Sequence, residues 1–154
     1  MPQDTYTAAV KELAELGWRV ATHAVGDAAI DQVSEGYQMA HEKSPIQNRR
    51  WVIEHGFIPQ SDYFKRINDL GVLVSAQHHL YLAGPVLEKY WGKERAHRVV
   101  PVRSYLQNGV PVSLESDSPV VPYFPLKVMC HFVTRNTISG GVFGENQRIS
   151  REEA

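Results

Sequence analysis

Three times along the chain a helix-forming run ends in glycine and passes at once into an apolar run. The junctions are Leu16-Gly17-Trp18, Leu70-Gly71-Val72 and Asn108-Gly109-Val110. Glycine just past a helix closes it in the left-handed conformation that other residues avoid. Strand and helix then recur at about 30–40 residues per unit, which is the βα repeat of a parallel sheet. Parallel strands covered on both faces read as near-continuous apolar runs, and VLVSA (72–76) and VPVSL (110–114) do so. Two architectures satisfy the pattern: an open doubly wound sheet, or part of a (β/α) TIM-type barrel. Periodicity does not choose between them. No GxGxxG or GxxxxGK loop follows any strand, which counts against a nucleotide-binding doubly wound domain.

The elements follow from apolar spacing. Asp4 is placed to cap a first helix carrying Tyr6, Ala9, Val10, Leu13 and Leu16 on one face, closed by Gly17. A strand is expected over 18–22 and a second helix from Asp27, with Ile30, Val33, Tyr37 and Ala40 inward and Lys43-Ser44-Pro45 as its stop. Strands are expected at 50–55, 72–77 and 110–116. Helices are expected near 61–70, over 84–108 with a restart at Pro101, and over 125–137. No linker or low-complexity segment divides the chain, so residues 1–154 read as a single domain.

Composition excludes several classes. Sixteen basic and seventeen acidic residues give a net charge of -1, with no basic face for nucleic acid. No apolar run approaches the roughly 20 residues of a membrane span, and the beginning, MPQDTYTAAVKEL, has no secretory pattern, so a cytoplasmic location is expected. The lone Cys130 excludes an internal disulfide framework and, within VMCHF, reads as core.

Each strand ends on residues a core would not select: His23, then Glu54-His55, then Gln77-His78-His79, then Glu115-Ser116-Asp117. In parallel α/β folds the carboxyl ends of strands are where chemistry is assembled. Imidazoles from two strands and a carboxylate from a third form the ligand set of a zinc or other divalent site. Any one of these is also what a loop accepts without function, since histidine tolerates solvent and Asp before Ser-Pro makes a good turn. The recurrence of His23, His55 and Asp117 at the same end of three strands is what gives the metal reading weight. Asp27 reads as a helix N-cap meeting the helix dipole. His78 and His79 alternate in direction, so at most one faces the site. His41, His97 and His131 read as surface or packing residues. The run 93–98 reads as a solvated helix face from which Arg95 could reach a substrate.

Four segments in order, THAVGDAAID, RRWVIEHGFIPQSD, GVLVSAQHHLYL and GVPVSLESDSPV, resemble the metal-dependent amidohydrolase superfamily, in its N-substituted formamide deformylase-like branch. The resemblance runs from about residue 8 to the end of the chain. It implies an amidohydrolase (β/α) barrel of which this chain supplies the βα units of strands five to eight. It implies that His23 and His55 are metal ligands from the fifth and sixth strands, and that Asp117 binds metal and serves as general base. It implies one or two divalent ions, zinc before iron, nickel or manganese, and a small amide-type substrate whose carbonyl is attacked by metal-bound hydroxide, breaking a C–N bond. Asp27, Gln77, His79 and Arg95 are then candidates for substrate contact or for supporting the ligands.

The chain also departs from that pattern. It contains no His-x-His pair, which members carry on the first strand, and no small β-sandwich. His78 stands where the branch has Pro, and Glu115 where the family commonly has Gly. Four βα units leave two open sheet edges and a half-exposed barrel interior. The expectation is therefore a C-terminal piece of a longer enzyme, inactive alone, that associates with an N-terminal half-barrel or with itself. The alternative is a non-catalytic half-barrel serving assembly.

Overall fold

The computed structural model covers residues 1–154. Its order is α1 (Gln3–Glu15), β1 (Ala21–Ala24), α2 (Asp27–Lys43), β2 (Val52–His55), α3 (Tyr63–Asp69), β3 (Leu73–Gln77), α4 (Leu80–Trp91), α5 (Lys93–His97), α6 (Val102–Gln107), β4 (Val112–Glu115) and α7 (Pro125–Thr134). The glycine junctions act as the sequence implies. Gly17, Gly71 and Gly109 adopt φ of 76°, 66° and 75° after α1, α3 and α6. At each, the next amide reaches back to the helix: Trp18 N–H to Leu13 O, Val72 N–H to Ile67 O and Val110 N–H to Tyr105 O, at 2.9, 3.0 and 3.0 Å. These are Schellman closures, which satisfy helix-end carbonyls and start the strand in one step.

The four strands form one parallel sheet in the order β1-β2-β3-β4. Sequential order with a helical crossover at each step is that of a (β/α) barrel wall and not of a doubly wound sheet, whose strand order reverses. One face packs on the helices through a single apolar cluster that includes Ile53, Val74, Ala76, Tyr37, Trp51 and Tyr105. On that face the Thr22 hydroxyl meets the Tyr6 and Tyr37 hydroxyls at 3.0 and 2.8 Å. The other face, where a barrel interior would lie, carries His23, Glu54, Ser75 and Ser113 in register across the sheet, with Gln77 opposite Glu115. The strands are thus apolar on the helix side and largely polar on the open side. This corrects the reading of strands apolar on both faces.

Other local expectations shift. Asp4 lies inside the first turn of α1, whose N-cap is Pro2. β1 begins at Ala21, so His23 is a strand residue and not a strand terminus. Gly26 caps α2, and Asp27 follows as its first residue. The long helical stretch begins early, at Leu80, and breaks at Gly92 before it breaks at Pro101. α7 stops at Thr134 because Arg135 takes a left-handed conformation. Cys130 is exposed, contrary to the core reading, because it lies on the solvent side of α7 opposite buried Val128, His131 and Phe132. No helix is long and apolar enough to cross a membrane.

Candidate metal centre

The carboxyl ends of β2, β3 and β4 deliver three side chains to one point. His55, His79 and Asp117 each offer a ligand atom, and these atoms lie within 4.8 Å of one another. His79 Nε2 is 3.5 Å from Asp117 Oδ2. His23, on the neighbouring strand, places Nδ1 2.9 Å from His55 Nε2.

Local backbone geometry aims these groups. His55 and Asp117 both sit at positive φ, 76° and 57°, a region that costs a non-glycine residue about 1–3 kcal/mol. In each case the turn departs from strand pleating just where the ring or carboxylate is presented. Gly56 continues the turn at φ 51°, and a Cβ there would meet the Tyr105 hydroxyl at 2.7 Å and Val74 Cγ1 at 2.9 Å. The Tyr105 hydroxyl donates to Gly56 O at 2.7 Å, pinning the turn from beneath. His79 is the N-cap residue of α4, two residues beyond β3.

The electrostatics keep the donors fit for a cation. Burial pushes the His55 imidazole below its ordinary pKa, neighbouring His23 and His79 add to this, and Asp117 opposes it. A neutral ring is the form that ligates. His55 Nδ1 and His79 Nε2 are buried without a hydrogen-bond partner. Two imidazoles and a carboxylate within reach of one another fit a divalent metal ion.

The candidates therefore sort differently from their order in the sequence. His55 and Asp117 converge as expected. His79, expected only as a supporting residue, joins them, while His23 lies outside the three with its ring against His55. Strand alternation allowed at most one of His78 and His79 to face the site, but β3 ends at Gln77 and it is the turn into α4 that presents His79. His78 turns away and packs against His131, ring centroids 6.1 Å apart. Gln77 is buried and donates through Nε2 to the Glu115 carboxylate, which also accepts from the Ser75 hydroxyl at 2.5 Å. Burial, followed by the nearby Glu115 and Asp117 charges, raises the Glu54 carboxyl above its usual range, opposed by a hydrogen bond with Ser75. Glu115 thus points into the would-be barrel interior and not into the helices. Asp27 and Arg95 form an ion pair at 2.9 Å at the start of α2.

A parallel βα sheet whose strand tips converge imidazoles and a carboxylate defines a metal-binding α/β-barrel class. The amidohydrolase family matches the chain over residues 1–154, and the chain belongs to that family. It is 34% identical over 144 residues to an N-substituted formamide deformylase of Arthrobacter pascens, covering 91% of this chain and 26% of the relative. It is 32% identical over 112 residues to protein LONG AFTER FAR-RED 3 of Arabidopsis thaliana, covering 71% of this chain and 19% of that protein. Among solved structures, an uncharacterized metal-dependent hydrolase from Pyrococcus horikoshii superposes with a TM-score of 0.83 at 23% identity, covering 99% of this chain and 30% of its own. A metal-dependent hydrolase from Pyrococcus furiosus gives 0.74 at 27% identity, with the same coverages of 99% and 30%. The chain spans between about a fifth and a third of the length of these relatives.

Proposed function

We propose that the chain contributes a metal-binding half-barrel to a hydrolase that cleaves the C–N bond of a small amide-type substrate. The observation that carries this reading is the approach of His55, His79 and Asp117 ligand atoms to within 4.8 Å at the tips of successive strands. These residues would hold the ion, with His23 completing the set, and zinc suits the donors best. A bound ion of this kind polarises a carbonyl and brings the pKa of water to about 7. Asp117, partly exposed beside His79, is the group placed to take a proton from the attacking water and return it to the departing amine. His55, kept neutral by its surroundings, holds its place without competing for that proton.

The open sheet face, with free edges on β1 and β4, is read as a surface covered in the active protein by a complementary N-terminal half-barrel or by a second copy. The free, exposed Cys130 fits a reducing cytoplasm. Formate release from an N-substituted formamide tests the reading, using the chain co-expressed with a segment supplying the complementary strands. Turnover that is abolished in Asp117→Asn is expected, with metal binding but no turnover for the chain alone. Undiminished turnover in Asp117→Asn would exclude the assigned proton carrier. The free edges also support a second reading, a non-catalytic assembly module, for which a stable dimer purified without metal would be the mark.

A further inference from the structure

The loops following the first three strands enclose a cavity that the metal centre does not use. Asp27, four residues past His23, Ile58 and Gln60, just past His55, and the α4–α5 corner, which follows His79, line it. Its volume is about 480 Å³, the size of a small-molecule site. Arg95 is fixed between the Asp27 carboxylate, 2.9 Å away, and the Trp91 ring, whose centroid is 5.2 Å from the guanidinium carbon. Arg98 and Lys93 also line the cavity, and neither has a carboxylate within ion-pair distance. Arg98 makes one contact, a long 3.5 Å bond to Pro59 O, which leaves most of its donor fork free. The lining includes two acids: Asp27, paired with Arg95, and Glu94, which forms no ion pair.

We propose that this cavity is a subsite for a carboxylate carried on a flat apolar body, the carboxylate held by Arg98 and Lys93 and the body laid against Trp91. A guanidinium fork and an ammonium match a carboxylate, and the half-exposed Trp91 indole offers the apolar wall, with Ile58 buried behind the lining. The Asp27–Arg95 pair has a separate role. It ties the α4–α5 corner to the start of α2 and sets the cavity's width, while Asp27 neutralises Arg95 so that the remaining cations do the binding. Because the lining residues lie on the segments that follow the strands carrying the histidines, the subsite rests on the hydrolytic reading in one respect: the carboxylate would belong to the amide substrate. It makes the substrate class an amide bearing a carboxylate.

Binding can be read without turnover. Benzoate and hippurate are titrated into the whole chain against neutral benzamide and hippuramide, following the Trp91 indole N–H by NMR, assigned with Trp91→Phe. The acids should shift that signal saturably and bind at least tenfold tighter than the amides, about 1.4 kcal/mol. Arg98→Gln, at a side chain with one weak contact, should fold normally and weaken the acids about tenfold while leaving the amides unchanged; Lys93→Gln should act in the same direction. Equal affinity for acid and amide, no saturable shift up to roughly 10 mM, or an unaffected Arg98→Gln would overturn the proposal. None of these results bears on whether His55, His79 and Asp117 bind a metal, so the two readings fail separately.

Discussion

Nδ1 of His23 lies 2.9 Å from Nε2 of His55, across the β1–β2 pairing. Two bare imidazole nitrogens repel at that distance. The pair is either bridged by one shared proton or aimed together at a cation. The proposed ion makes the second arrangement the working one, so zinc should displace that proton. Titration with Zn²⁺ should shift the imidazole resonances of both residues together, and His23→Ala should weaken binding about tenfold. An unshifted His23 ring would leave it outside the ligand set.

Gly56 carries the turn that aims His55. Gly56→Ala adds a methyl against Tyr105 and Val74 at a left-handed position, and should cost about 2 kcal/mol or more in denaturant unfolding. Its metal affinity should fall as well. Tyr105→Phe leaves the buried Gly56 carbonyl without its donor and should cost about 1–3 kcal/mol. A Gly56→Ala protein of unchanged stability would mean that the turn is not held as described.

Arg135 is fully buried. It donates to Phe143 O, Val100 O and Val99 O at 2.8, 3.0 and 2.8 Å, joining the end of α7 to the segment before α6. Burial lowers its pKa to about 10, so it remains charged at neutral pH. Arg135→Met strands three carbonyls and should lose roughly 3 kcal/mol or more. A loss below about 1 kcal/mol would show that those carbonyls find other partners.

His131 gives the fold an acid sensitivity. Its ring is buried, Nδ1 bonds to Asn136 O at 2.9 Å, and burial holds its pKa at about 4. An unfolded histidine takes up its proton near pH 6.5, so acid favours the unfolded chain between those values. Stability should therefore fall from pH 6.5 to pH 4, by up to about 3 kcal/mol from this residue. His131→Asn, which cannot titrate, should flatten that part of the slope. An equally steep slope in the variant would assign the sensitivity to other groups.

Much of the fold was legible because βα units are written in local chemistry. The glycines at 17, 71 and 109 marked the helix–strand junctions, and all three are Schellman closures. The open sheet face was less legible. Glu54 and Glu115 stood out as polar strand ends and Ser75 lay within an apolar run, and only the pairing register shows the three lining one face. The exposure of Cys130 was hidden by its apolar neighbours in VMCHF, since a short helix shows one residue of such a run to solvent. At the site, strand tips marked His55 and Asp117. They did not rank His79 above His23, because that ordering depends on a turn of two residues beyond β3 and on how far along β1 the pairing runs. Arg95 was read as a charge on a solvated helix face and a candidate for substrate contact; its tie to Asp27, distant in sequence, is a tertiary contact.

The most direct test of the account is a Co²⁺ titration of the chain, read by the visible absorption of the bound ion. It should show saturable binding of about one ion per chain, weakened at least tenfold by His55→Ala, His79→Ala or Asp117→Asn, and unchanged in His41→Ala on the distant end of α2. Binding that is absent, or that survives all three substitutions undiminished, would contradict the claim that these strand tips form a metal centre.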